Sequence, residues 1–152
     1  MHQIKLTTYF QEASKHITLI EESLEELKTP LKEYEALSRI EKFALNALIF
    51  RFAKLQDLLG AKVFRTYLEY NGYNTQGISY YDILREIEKE DIVDIDTWSE
   101  LRELRNKIAH DYPEELEEMI DSINLFINRS KEIVTISKKL ESRFYETKAK
   151  RD

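Results

Sequence analysis

The chain reads as an all-α protein, an up-and-down bundle of four to five helices closed by a long C-terminal helix. Three observations carry this. Only 3 glycines and 2 prolines occur in 152 residues, and these are the residues that punctuate turn-rich sheet proteins. Charged residues make up 34% of the chain, with Leu, Ile, Glu and Lys dominant, as in helical bundles. Apolar residues recur at steps of three and four along most of the length, the repeat of a buried helix face. The length suits a single helical domain over 1–152, which buries roughly 68–70% of the surface its unfolded form exposes. A basic tail at about 145–152 is expected to fray.

The elements follow in order. Ala13, Ile17, Ile20, Leu24, Leu27 and Leu31 predict a first helix from about Thr7 to Lys28, stopping near Thr29-Pro30. Leu37, Ile40, Ala44, Ala47, Leu48, Leu55 and Leu59 predict a second, which Phe43, Ile49, Phe50 and Phe52 make apolar on most sides, as a central helix is. Gly60 marks a break or kink, after which Val63, Phe64, Tyr67 and Leu68 carry the pattern to a left-handed stop at Asn71-Gly72. Tyr73 to Ser79 is the clearest loop, and Ser79 caps a short helix through Glu90 with Ile83, Leu84 and Ile87 inward. Asp96 or Thr97 opens the next helix, with Trp98, Leu101, Leu104 and Ile108 on the core. Pro113, followed by four glutamates, begins the last helix, where acidic side chains suit the positive helix end. It runs to about Lys148 through Leu116, Ile120, Ile123, Ile127, Val134 and Leu140.

Composition excludes several classes. Cysteine is absent, so no disulfide scaffold or thiolate metal site exists. His2 and His16 lack partners at metal-ligand spacing, and neither a metal nor any other cofactor is expected. No glycine-rich phosphate loop occurs. The first fifteen residues hold no apolar core of a secretory signal, and the longest uncharged apolar run, Phe43 to Phe50, is far short of the ~20 residues that span a bilayer. A cytoplasmic location without membrane contact is expected. A net charge of −6 argues against generic coating of nucleic acid. The charge is uneven, at −10 from Asp82 to Asp121 and +4 from Arg129 to Asp152, although solvated helix faces account for both stretches.

The most informative stretch is Arg105-Asn106-Lys107-Ile108-Ala109-His110-Asp111-Tyr112. An arginine holds phosphate oxygens with its planar fork, and a histidine moves protons near neutral pH. On a straight helix His110 sits roughly 140° around from Arg105. Tyr112 precedes Pro113 and is pushed from helical geometry, which places an elbow after His110. Asn106 is four residues from His110 and shares its face. Each residue also fits an ordinary role: Arg105 as ion-pair partner of Glu103, Asp111 or a neighbouring helix, His110 as complement to a helix C-terminus, Tyr112 as packing at the elbow.

The full string R-N-K-I-A-H-D-Y resembles the signature of the HEPN domain family, in which an arginine, a polar residue, three variable residues and a histidine precede a tyrosine two positions on. Its placement before the long last helix is similar too, above all to the minimal HEPN (HepT-like) toxins paired with a minimal nucleotidyltransferase antitoxin. That resemblance implies a metal-independent endoribonuclease acting as a homodimer on an RNA substrate, with Arg105 and His110 catalytic and Asn106 supporting. It implies that Tyr112 is the residue on which the antitoxin places AMP. The alternative is a non-catalytic HEPN helical subunit that docks a nucleotidyltransferase and its substrate.

Two further groups stand out. Tyr67, Tyr70, Tyr73, Tyr80 and Tyr81 surround the loop and suit packing better than base stacking. Lys54 and Asp57 lie on an otherwise apolar helix, where they pair with bundle neighbours or, less favoured, help position Arg105.

Overall fold

A computed structural model describes residues 1–28, 30–111 and 118–152, including the backbone but not the side chain of Asp111. Six α-helices are present among the described residues: α1 (His2–Glu26), α2 (Arg39–Leu58), α3 (Phe64–Tyr70), α4 (Tyr80–Lys89), α5 (Ile95–Asp111) and α6 (Ile120–Arg151). A π turn at Leu59–Val63 joins α2 to α3 without interruption, so the described residues form five helical rods and no strand. A single 3-10 turn, Tyr34–Ala36, precedes α2.

Residue pairs fix the direction of each rod. Phe10 meets Phe144 at 5.7 Å between ring centroids, while Leu31 exchanges two backbone hydrogen bonds with the Asn124 side chain, so α1 and α6 run antiparallel. His2 faces Glu69 and His16 faces Arg51, which sets α1 antiparallel to α2 and α3. Phe52 packs edge-on against Phe126 at 4.8 Å and Tyr70 against Phe144 at 5.0 Å. Phe64 against Trp98 and Asp57 against Arg105 place α5 antiparallel to the central rod. α1, the central rod, α5 and α6 therefore run alternately up and down, with the short α4 inserted between the central rod and α5, around one core cluster in which Trp98, Phe10, Phe52, Phe64, Phe126 and Phe144 are fully buried. Burying an apolar side chain of this kind contributes about 1.5–3 kcal/mol.

Local chemistry explains the boundaries. α1 starts at His2, ahead of the expected Thr7, because Leu6 and Phe10 extend its buried face while Thr7 and Thr8 turn their hydroxyls onto the carbonyls of Gln3 and Ile4. α2 opens on a reciprocal cap, Ser38 Oγ accepting from Glu41 N and Glu41 Oε1 from Ser38 N. The central rod ends as expected at Gly72, whose φ of +94° is open to glycine; Tyr73 N donates to Leu68 O and Gly72 N to Glu69 O. Ser79 caps α4 by accepting from Asp82 N. α5 opens at Ile95, one residue before the range expected, because Asp94 accepts from both the Thr97 N–H and hydroxyl. α6 is described from Ile120, after a turn at Glu118-Met119, and extends past Lys148 to Arg151, which donates to Tyr70 O and lies 4.3 Å over the Tyr70 ring. The expected helix start at Pro113 lies outside the described residues.

Gly60 does not break the central rod. It sits in the π turn, where a Cβ would meet Tyr80 Oη at 2.7 Å and Trp98 Cζ2 at 3.1 Å. The missing side chain lets α4 and α5 reach the rod together, with Trp98 Nε1 donating to Tyr80 Oη at 3.0 Å. Overpacking such a contact costs about 1–3 kcal/mol, against a helix-propensity gain of about 1 kcal/mol for alanine over glycine. Gly60→Ala is therefore expected to destabilise the protein, and to do so less in a Tyr80→Phe background. Urea unfolding of the four-member mutant cycle checks this.

His16 is 7% exposed, beside Arg51 Nη1 at 3.2 Å from its Nδ1. Burial first, then the Arg51 charge, lowers its pKa below 6.5. The folded state thus binds its proton less readily than the unfolded chain, so stability is fully present above about pH 6.5 and falls as pH drops through the lowered folded pKa. His16→Gln is expected to flatten the stability loss between pH 7.5 and 5.5, measured as urea midpoints.

Candidate functional site

The site grows from the rotation of α5. Trp98, Leu101, Leu104 and Ile108 are buried, and this apolar face leaves Arg105 half-buried at its edge with Asn106 and His110 exposed. α5 is pinned to α6 by Arg129, which donates to Glu100 Oε2 at 2.8 Å and Glu132 Oε2 at 2.7 Å. These carboxylates hold the Arg129 charge firmly, raising its pKa.

Arg105 is held from two sides. Its Nη2 donates to Asp57 Oδ2 of α2 at 3.4 Å, and its Nη1 to Asn106 Oδ1 at 3.0 Å. Its Nε is buried and finds no hydrogen-bond partner among the described residues. The guanidinium is thus oriented with donors left over, as an anion-binding arginine requires. Among the described side chains, the carboxylate that meets Arg105 comes from the neighbouring helix and not from Glu103. Asp57 takes the positioning role that the sequence made the less favoured one, whereas Lys54 lies 5.4 Å over the Phe50 ring.

Asn106 orients Arg105, not the imidazole beside which its spacing places it. His110 stands exposed in the last turn of α5, with no hydrogen bond or ion pair to the described residues. Because α5 stays helical through Asp111, His110 and Arg105 are directed roughly 140° apart. The structure therefore brings Arg105, Asn106 and Asp57 together and leaves His110 to one side. Tyr112, and with it the expected elbow, lies outside the described residues.

Two of the five tyrosines around the loop pack: Tyr67 is buried and Tyr70 meets Phe144 edge-on. Tyr73, Tyr80 and Tyr81 are exposed, and Tyr73 donates to Glu90 Oε1 at 2.6 Å, a bond that pushes its pKa up to about 12. Tyr81 alone of the five is more than half exposed. Sequence reading missed a cleft of about 400 Å³ beside Asp57, at the π turn, where Gln56, Arg65, Tyr80 and Arg102 meet from four helices. Its one signal in the sequence is Gly60, which by pattern alone marks a break or kink.

Among the described residues no group of three or more His, Cys, Asp or Glu is placed to hold a metal ion, and no helix is long and apolar enough to cross a membrane. Residues 8–139 match the family model described as nucleotidyltransferase substrate binding protein like. The chain belongs to that family. The family has the HEPN-like helical fold, in agreement with the motif at Arg105. No curated protein and no solved structure matches the chain significantly.

The Asp57–Arg105 pair is partly solvated, with side chains 61% and 30% exposed. Such pairs contribute only about 0–1 kcal/mol. Asp57→Ala is accordingly expected to change unfolding stability by less than about 1 kcal/mol, measured by urea denaturation, so any functional loss in this variant reports on Arg105 orientation and not on folding.

Proposed function

We propose that the chain is the helical partner of a nucleotidyltransferase, and that its own activity is metal-independent RNA cleavage centred on Arg105 and His110, as the toxin of a toxin-antitoxin pair. The observation that carries this reading is the Arg105 guanidinium, fixed by Asp57 and Asn106 with donors left over among the described residues, on the same helix as an exposed His110. RNA supplies its own nucleophile: the 2′-oxygen attacks the adjacent phosphorus, the bond to the 5′-oxygen breaks, and a 2′,3′-cyclic phosphate remains. His110 takes the 2′-OH proton or delivers one to the leaving 5′-oxygen, and Arg105 stabilises the charge gathering on the phosphoryl oxygens.

One copy directs Arg105 and His110 to different sides of α5, and one histidine serves only one proton transfer at a time. A homodimer answers both needs. Ile40, Phe43 and Phe50 are 62%, 64% and 52% exposed on α2, and Phe43, Phe50 and Asp57 fall at seven-residue steps on one side of that helix. We place the contact between two copies on this stripe, so that the Arg105 of one copy works with the His110 of the other. Tyr112, two residues past His110, is the proposed acceptor of AMP from the nucleotidyltransferase, its oxygen attacking the α-phosphorus of a bound nucleoside triphosphate with loss of pyrophosphate. The added charge then competes for Arg105.

A second reading is favoured by the family's own description, substrate binding. Here the chain docks a nucleotidyltransferase and presents its substrate without cutting RNA. Expression of wild type, His110→Ala and Arg105→Ala in a bacterial host separates the two. Cleavage predicts growth arrest and new cyclic-phosphate RNA ends in wild type only, with each variant losing about 10²–10⁴-fold activity while remaining folded. An inactive, folded wild type whose Tyr112 carries no AMP by intact mass would remove the ribonuclease reading and leave docking.

A further inference from the structure

One arginine on the outer side of α5 is used by neither functional reading. Arg102 is exposed, and its guanidinium lies over the Tyr80 ring, 5.7 Å from the centroid. It forms no hydrogen bond or ion pair with the described residues. A cation stacked on an aromatic face keeps its edge clear, so the N–H donors of Arg102 stay uncommitted while the ring limits the rotamers that carry them. The helix supplies it with no carboxylate. Trp98 and Ser99 stand one turn before Arg102, and Arg105 and Asn106 one turn after it, which are the positions a helical side chain meets. Glu103 is turned roughly 100° away. Asp57 of α2 borders the same cleft as Arg102, yet its carboxylate meets Arg105. Arg129, by contrast, is opposed by Glu100 and Glu132. Two arginines one turn apart repel each other, and in a chain with 29 acidic residues an Arg102 left bare beside Arg105 suits an anion that arrives from outside.

Arg102 also falls where the candidate site has a gap. Arg105 and His110 are directed roughly 140° apart, and Arg102 lies between them, roughly 60° from Arg105 and roughly 80° from His110. Along the helix axis it precedes Arg105 by about 4.5 Å and His110 by about 12 Å. It is thus a neighbour of Arg105 on the outer surface of α5 and stands apart from the atoms that His110 serves. We propose that Arg102 is a further substrate-binding residue, holding the backbone phosphate next to the one that Arg105 contacts on an RNA strand laid along α5. The inference takes its substrate class from the ribonuclease reading above and extends that site by a residue outside the R-N-K-I-A-H-D-Y string. A contact of this kind fixes the register of the strand on the protein and selects no base. Arg105 then acts on the scissile phosphate while Arg102 keeps the strand from sliding past it.

Binding of a fluorescently labelled single-stranded RNA is followed by anisotropy over a series of salt concentrations, in a His110→Ala background that leaves the strand uncut. Adding Arg102→Gln is expected to weaken binding about tenfold at low salt and to flatten the slope of log affinity against log salt by about 0.7, the share of one phosphate contact on a single strand. Arg102→Lys, which keeps the charge, retains the slope. Urea midpoints match across the set, since the position is exposed. In the cleaving protein Arg102→Gln raises KM and spares kcat, because the lost contact holds substrate and transition state alike. Absence of saturable RNA binding overturns the proposal, as does equal affinity and slope in Arg102→Gln and its parent. Weaker binding with an unchanged slope overturns it too, since a structural effect then explains the loss. RNA bound through Arg102 by a wild type that never cleaves removes the ribonuclease reading alone; cleavage by Arg102→Gln at the parental KM removes this inference alone.

Discussion

Close approach of three helices at Gly60 is the constraint on which the remaining architecture depends. Without a Cβ there, the π turn of the central rod lets Tyr80 of α4 and Trp98 of α5 come within contact of the same backbone, and the Trp98–Tyr80 hydrogen bond joins the two arriving helices. A π turn inserts extra backbone into a helix and shifts the faces on either side of it. Here Phe52 of α2 and Tyr70 of α3 pack on α6, while Asp57 of α2 and Phe64 of α3 meet α5. One rod can thereby serve as the spine for both the α5 and the α6 contacts.

That geometry sets the position of the candidate site. Trp98 is anchored at the π turn, and two turns further along α5 Arg105 arrives beside Asp57 of α2. The ion pair itself contributes little energy, being partly solvated. Its value is orientation: a long side chain that would otherwise sample many rotamers is held by a carboxylate on one side and an amide on the other. The π-turn cleft and the Arg105 cluster share Asp57, so the two polar features of this face are mechanically adjacent.

Much of the fold was legible because helix periodicity is a local property. The apolar repeats at Ile17, Ile20 and Leu24, at Ile83, Leu84 and Ile87, and at Leu101, Leu104 and Ile108 each declare a buried face without reference to the other helices. Glycine and serine punctuation was equally readable at Gly72 and Ser79. Boundaries were less so. The start of α1 depends on Leu6 and Phe10 finding Phe144 far along the chain, and exposed threonines there obscured the pattern. The Ser38–Glu41 cap was present as S-x-x-E but unread, and Asp94 was passed over for the acid two residues on.

The sequence by itself determined the all-helical class, the order of the rods and the identity of the arginine, asparagine and histidine worth following, because these rest on spacing along one chain. Only the tertiary structure decided that Asp57 and not Glu103 holds Arg105, that Asn106 serves Arg105 and not His110, and that Gly60 is a contact point and not a break. Each of these depends on which faces of separate helices meet. That is set by the summed packing of Trp98, Phe64, Phe52 and their neighbours across the core, a quantity no single stretch of sequence contains.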